Sequence, residues 1–172
     1  MAAATLVPIE TYLSTSWDPD CEYVDGRLIE RNVGEYNHGF LELIIGMALR
    51  ARGLRTYVET RLQIRQGRFR IPGVMALAPG QKRSGTYQQE TPYIVVEIVS
   101  PDDRISEMAE KLQDYFEKNV PNVWVVAPMM KVLAVHHPDE SRDCHDIVQT
   151  SDGAIEIDVR EIFRQLAEDQ AE

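Results

Sequence analysis

Cysteine is nearly absent. The 172 residues hold two, Cys21 and Cys144, far apart and outside any C-x-x-C pair, so neither a disulfide framework nor a thiolate zinc site is indicated. Long hydrophobic runs are missing as well. Nothing approaches the roughly 20 apolar residues that a membrane-spanning helix needs, and the stretch from Met1 to Pro8 lacks the basic flank and extended apolar core of a signal peptide. A cytoplasmic protein is expected. Positive charge is scarce: 18 basic side chains stand against 28 acidic ones, and the net charge of −10 opposes the phosphate neutralisation behind most non-specific DNA affinity. Any nucleic-acid role must rest on a local basic patch. Glycine-rich phosphate loops, G-x-S-x-G elbows, H-E-x-x-H motifs, internal repeats and low-complexity stretches are also lacking.

What remains, 44% apolar and 27% charged residues, is ordinary for a globular protein, and a chain of this length can enclose a real core. One domain over residues 1–172 is expected. A local basic patch does exist: Arg50, Arg52, Arg55, Arg61, Arg65, Arg68 and Arg70 fall within twenty-one residues, and with Lys82 and Arg83 they make half of all basic side chains. Arg61, Arg65, Arg68 and Arg70 are its candidate DNA contacts. The plainer alternative is a set of solvated faces on a helix end and two strands.

Periodicity divides the chain into elements. Leu6, Ile9, Tyr12 and Leu13 recur at helical spacing within residues 5–17, and Asp18-Pro19-Asp20 supplies a turn. Residues 21–24 and 27–30 flank Asp25-Gly26, a dipeptide suited to the positive φ angles of a two-residue hairpin. A long helix follows, with Asn37 as cap, an apolar stripe from Phe40 to Leu49 and Gly53 as terminator. Extended segments are predicted over 56–64, 69–78 and 93–100, the second interrupted at Pro72-Gly73, with a turn-rich loop over 79–92. Ser100-Pro101-Asp102-Asp103 opens a second amphipathic helix, whose stripe runs through Ile105, Met108, Leu112, Tyr115 and Phe116. Strands over 123–126 and 132–136, a closing hairpin over 147–157 and a last helix over 159–167 complete the pattern. This order argues for an α/β (α+β) fold, a mixed β-sheet flanked by helices, with the Glu97 strand, the helix after it and the Trp124 strand forming a right-handed βαβ unit at the sheet centre.

One residue breaks the logic of that sheet. Glu97 lies in the most apolar stretch of the chain, Tyr93-Ile94-Val95-Val96-Glu97-Ile98-Val99-Ser100, and on a strand it faces the same way as Tyr93, Val95 and Val99. Burying an ionised carboxylate without a partner is too costly to be accidental. The acid is either structural, paired with an arginine or capped by backbone amides, or part of a site. Fourteen positions later Lys111 flanks the apolar stripe of the second helix, where its stem packs and its ammonium can reach inward. Alone it reads as a snorkelling surface lysine.

Together the two match a pattern of metal-dependent phosphodiester cleavage, in which an acid and a lysine converge at the end of a sheet. The ordered set Glu22-Tyr23-Val24-Asp25-Gly26-Arg27-Leu28-Ile29-Glu30, His38, Ile71-Pro72, Val95-Val96-Glu97-Ile98-Val99-Ser100-Pro101, Lys111, Tyr115 and Val123-Trp124-Val125-Val126 resembles the Uma-type restriction endonuclease family, a branch of the PD-(D/E)XK nuclease superfamily, over about residues 21–163. The resemblance implies a restriction endonuclease-like fold in which two carboxylates on adjacent strands hold Mg²⁺. That ion activates water and stabilises the developing charge, while a lysine orients or helps deprotonate the water. It also implies Glu97 as the second carboxylate. Because this branch moves the lysine from the strand to the next helix, it implies Lys111 where the wider superfamily would use position 99. Nucleic acid and a second copy of the chain are the implied partners.

One departure matters. The resemblance implies Pro-Asp where this chain has Pro72-Gly73, and the missing aspartate would be the central metal ligand. Losing one of two protein carboxylates weakens Mg²⁺ binding steeply, which leaves either an impaired nuclease or a silent module that keeps the fold for binding or assembly. Glu42, one helical turn after His38 and on the same helix face, and Glu59 on the preceding strand are candidate replacements. His38, Glu59, Glu107 and Tyr115 are expected to line the site, with Glu107 spaced for an i, i+4 ion pair with Lys111. His136-His137-Pro138-Asp139 and Asp143-Cys144-His145-Asp146 carry metal-ligating side chains at no familiar zinc spacing, and residues 138–146 read better as a polar hairpin loop. An unrelated α/β scaffold, with Glu97 and Lys111 paired for structure alone, is the third reading.

Overall fold

The computed structural model describes residues 6–31 and 35–171. A short helix, α1 (Ile9–Ser14), leads into β1 (Cys21–Val24) and β2 (Arg27–Glu30), which pair across Asp25-Gly26 as the sequence predicts, with both turn residues at positive φ, 50° and 89°. The long helix α2 (Tyr36–Ala51) precedes four strands, β3 (Arg55–Val58), β4 (Leu62–Arg65), β5 (Arg68–Arg70) and β6 (Val74–Leu77). Then come β7 (Ile94–Ile98), α3 (Ile105–Glu117), β8 (Asn122–Ala127), β9 (Val132–His136) and β10 (Ser141–Cys144). The hairpin of β11 (Ile147–Gln149) and β12 (Glu156–Asp158) and the helix α4 (Val159–Asp169) close the chain.

Six strands form the main sheet in the order β10-β9-β8-β7-β6-β3, and β2-β1-β5-β4 form a second, antiparallel one. Within the main sheet β7 and β8 run parallel, and parallel neighbours need a crossover, which α3 supplies. All five residues of β7 are buried, because the sheet is covered on both faces. Ile94, Val96 and Ile98 face a core shared with Leu41, Ile45 and Leu49 of α2 and Ile162, Phe163 and Leu166 of α4. Val95 faces a second core with Leu62 and Ile64 of β4 and Tyr115 of α3. Alternation therefore turns Glu97 towards α3. Tyr93, expected on the Glu97 side, packs instead against the first core, since it precedes the regular strand.

Other boundaries differ for local reasons. The segment predicted over 56–64 is two strands in two sheets, because Glu59 at φ 49° turns the chain between β3 and β4. The segment over 69–78 also divides between sheets, at Pro72-Gly73, where proline offers no amide hydrogen to a ladder. Asn37 lies inside the first turn of α2, whose cap is Glu35. Helix α3 starts only at Ile105, and Asp103 closes the preceding turn by accepting from the Ser100 amide at 2.8 Å. Residues 141–144, expected in a polar loop, pair with β9, and Cys144 joins the first core. Thr5, expected to begin α1, lies outside the described residues, among which no helix is long and apolar enough to cross a membrane.

Buried charge ties the second sheet to α3. Arg70 of β5, 3% exposed, lies 2.8 Å from Glu22 of β1 and 2.5 Å from Asp114 of α3, both at least as buried. Burial penalises the Glu22 carboxylate, yet Lys111, Arg70 and the Ile71 amide outweigh that penalty and hold its pKa below the ordinary value. Removing one partner from such a network strands a buried charge, so Arg70→Met should lower the unfolding free energy by about 3–5 kcal/mol in urea titrations. The depressed Glu22 pKa contributes stability that is present above the unfolded pKa and is lost as pH falls through the folded one. Glu22→Gln should therefore flatten the acid limb of the stability curve below about pH 4.5, followed by chemical denaturation at stepped pH.

Candidate active site at the end of the central strand

Glu97 sits next to the last residue of β7 and is 3% exposed. Two side chains one turn apart on α3 reach it from the same helix face. The wholly buried Tyr115 donates its hydroxyl to Glu97 Oε1, and Lys111 Nζ lies 3.4 Å from Oε2. The predicted convergence of strand acid and helix ammonium is present. A second carboxylate completes the pair: Glu22 Oε1 is also 3.4 Å from Lys111 Nζ. The expected ion pair between Lys111 and Glu107 does not form, since Glu107 lies 3.7 Å from Arg104 and two buried acids attract the ammonium more strongly than one exposed acid.

Burial disfavours the ammonium of Lys111, but Glu97 and Glu22 outweigh it and raise its pKa above the ordinary lysine value. Burial, together with the facing Glu97 and Glu22 charges, pushes the Tyr115 phenol well above its ordinary value. Lys111 is thus a fixed cation and Tyr115 a fixed neutral donor. Glu22 is the member of this group to which the sequence assigns no role. It is 1% exposed, its oxygens accepting from the Ile71 amide at 3.0 Å and from Arg70 at 2.8 Å. The signal was of the same kind as at Glu97, an acid between apolar strand neighbours, but a four-residue strand is too short for alternation to expose it.

The register Val74↔Val96, carried one step further, sets Gly73 abreast of Glu97. A Cβ built on Gly73 would lie 2.9 Å from Glu42 Oε1 and 3.5 Å from the Val96 carbonyl oxygen. The space that a side chain at position 73 would use is therefore filled by a carboxylate from α2. Glu42 is 9% exposed and lies with its Oε1 3.1 Å from His38 Nε2, while His38 Nδ1 is 3.2 Å from Ser100 Oγ. The Glu59 amide donates to the Gly73 carbonyl at 3.2 Å, which brings that residue to the same corner. His38, Glu42 and Glu59 offer ligand atoms within 4.8 Å of one another, the one such group among the described residues. The side chains around His136 and His145 form no such group there. Glu59 is also paired with Arg31.

A cavity of about 470 Å³ joins these parts, lined by Glu22, His38, Glu42, Glu59, Glu97, Glu107 and Lys111. Nine carboxylates and three cationic side chains line it in all, so the side chains around the cavity carry a strong excess of negative charge. The arginines of the sequence patch lie elsewhere or are engaged. Arg61 stacks 4.7 Å over the Tyr12 ring, Arg65 is 2.8 Å from Asp25, Arg68 lies beside Asp25 and Glu110, and Arg70 is buried.

No curated protein matches the sequence. The crystal structure of a "putative nuclease belonging to DUF820" from Anabaena variabilis superposes with a TM-score of 0.78, at 17% identity over 92% of this chain and 99% of that one. At that identity the likeness is one of fold, and it agrees with an α+β architecture of restriction endonuclease-like type. A cryo-EM structure of a DrdV–DNA complex reaches a TM-score of 0.38, at 10% identity over 73% of this chain and 11% of that one, too slight to bear on the fold. The family Uma2, described as "Putative restriction endonuclease", matches residues 9–169, a span that holds Glu22, His38, Glu42, Gly73, Glu97 and Lys111, and the chain belongs to that family.

Proposed function

We propose that the chain is a metal-dependent nuclease acting on the phosphodiesters of nucleic acid, with Glu97 and Lys111 as its acid and lysine. The observation that carries this reading is the 3.4 Å approach of the Lys111 ammonium to a buried strand carboxylate, at a cavity that also receives His38, Glu42 and Glu59. The excess of carboxylates around that cavity repels a phosphodiester until cations enter. Residues suited to hold one are present: Glu42 stands in the cradle left by Gly73, and with Glu59 and His38 it provides two carboxylates and an imidazole. A divalent ion bound there supplies Lewis-acid polarisation of a phosphoryl oxygen and a more acidic water.

The chain's own residues do the rest. Lys111, held as an ammonium between Glu97 and Glu22, stabilises negative charge that develops on phosphoryl oxygens, and it is poorly placed to accept a proton. Tyr115 anchors one oxygen of Glu97 and so orients the other. Glu22 is a positioning residue, fixed by Arg70 and the Ile71 amide and fixing Lys111 in turn. A catalytically silent module for binding or assembly is the second reading, favoured by Gly73 and by the net charge of −10.

Incubation of the purified protein with supercoiled plasmid and Mg²⁺ or Mn²⁺ should give nicked product, and Glu97→Ala or Lys111→Met should slow nicking by about 100-fold or more. Nicking that survives unchanged in Glu97→Ala would reject the assignment, and no nicking with any divalent ion would favour the silent module. Lys111→Arg should keep a measurable part of the rate that Lys111→Met loses, because the charge is kept. Since the Lys111 pKa is raised, its charge persists until pH climbs past the ordinary lysine value. Rate profiles from about pH 6 to about pH 9 should then show no ionisation that moves when Lys111 is replaced by arginine.

A further inference from the structure

We infer that Gly73 and Glu42 form one relocated ligand position: the carboxylate missing from the strand is supplied by α2, and with His38 and Glu59 it makes a site that prefers a first-row transition ion to Mg²⁺. This deepens the nuclease reading by naming the class of ion. It rests on that reading for the use of the ion, but not for its binding.

Four observations carry it. The first is steric. A Cβ at position 73 would approach Glu42 Oε1 to 2.9 Å, so an aspartate at 73 requires the Glu42 carboxylate to move from its present place. The second is the register, which carried one step past Val74↔Val96 sets position 73 abreast of Glu97, with the Glu42 carboxylate against the point from which a side chain at 73 would start.

The third is the spacing and chemistry of the donors. Two ligand atoms bound at about 2.0–2.2 Å to one ion, at right angles, lie about 3 Å apart. His38 Nε2 and Glu42 Oε1 are separated by 3.1 Å. An imidazole nitrogen suits manganese, iron, cobalt, nickel or zinc better than Mg²⁺, which demands near-octahedral oxygen and gives up water reluctantly. The fourth is the support behind the imidazole. Ser100 Oγ stands 3.2 Å from His38 Nδ1. When Nδ1–H donates to that hydroxyl, Nε2 presents its lone pair to the Glu42 side, the arrangement by which ligating histidines are oriented. Glu59, with its amide on the Gly73 carbonyl, adds the third donor, and an ion that binds there must share or replace its present partner Arg31.

Calorimetric titration of the full chain with Zn²⁺, Mn²⁺ and Mg²⁺ tests the inference without any cleavage assay. Zn²⁺ and Mn²⁺ should bind about tenfold or more tightly than Mg²⁺, and His38→Ala or Glu42→Gln, neither of which introduces a clash, should abolish that preference. Added Co²⁺ should give visible absorption bands that weaken in His38→Ala. Gly73→Asp should lower transition-ion affinity by displacing Glu42, and Gly73→Asp combined with Glu42→Ala should turn the preference back towards Mg²⁺, so the two changes are strongly non-additive. Circular dichroism identifies folded variants, and if Gly73→Asp does not fold, the His38 and Glu42 variants decide alone. Mg²⁺ bound as tightly as Mn²⁺, or a preference untouched in His38→Ala, overturns the inference. Selective binding without nicking overturns the nuclease function and leaves the ion site standing, whereas nicking with equal ion affinities does the reverse.

Discussion

Five charged side chains with little access to water run in alternating sign through the middle of this protein: Asp114, Arg70, Glu22, Lys111 and Glu97. Alternation is what makes their burial tolerable, because each ion loses its water in exchange for at least one opposite charge beside it. The chain of contacts crosses from α3 to β5, to β1, back to α3 and on to β7, so it registers the second sheet and the crossover helix against the main sheet. It contains three carboxylates and two cations. The uncompensated negative charge falls at the cavity end, where Glu97 has one oxygen taken by Tyr115 and the other facing Lys111.

That asymmetry connects structure to chemistry. An apolar sheet would be cheaper to bury than one carrying Glu97, and nothing in the packing of Val95, Met75 and Leu62 demands an acid there. The acid and its ammonium are sensible as a preorganised electrostatic site, with the cost of holding them carried by the surrounding core. Both ionic partners of Lys111 are fixed by further groups, Glu22 by Arg70 and the Ile71 amide, Glu97 by Tyr115. A charge held on two sides by anchored side chains has little reorganisation left to do, which is what the proposed function asks of it.

In the proposed ion site, Gly73 and Glu42 exchange one part while the place stays the same. Helix α2 brings Glu42 to the cavity from its first turns, and Gly73, the residue before β6, abuts that carboxylate, so in the proposed site a carboxylate can be delivered to one point from either. Glycine at 73 removes one route and makes room for the other. The acidic composition fits the same picture: with Arg65, Arg68 and Arg70 engaged by acids of the chain itself, attraction for phosphate in the proposed function falls to Lys111 and to bound cations rather than to a broad basic face.

Much of the frame was legible in the residues, because it rests on short-range rules. Asp25-Gly26 announced its hairpin through backbone conformation, the α3 stripe showed in 3.6-residue periodicity, and Glu97 stood out as a charge in an apolar strand. The family pattern, in its order along the chain, led to Lys111 and to the gap at Gly73. Tertiary structure alone decided the rest. It divided two predicted strands between sheets, turned Lys111 from Glu107 to Glu22, sank Arg70 into an ion chain and set Glu42 in the space of a missing side chain. Local sequence determines which face a residue turns to, since periodicity is a property of neighbours. Which charge it meets there depends on segments 14 to 89 positions away, and only the folded chain brings those together.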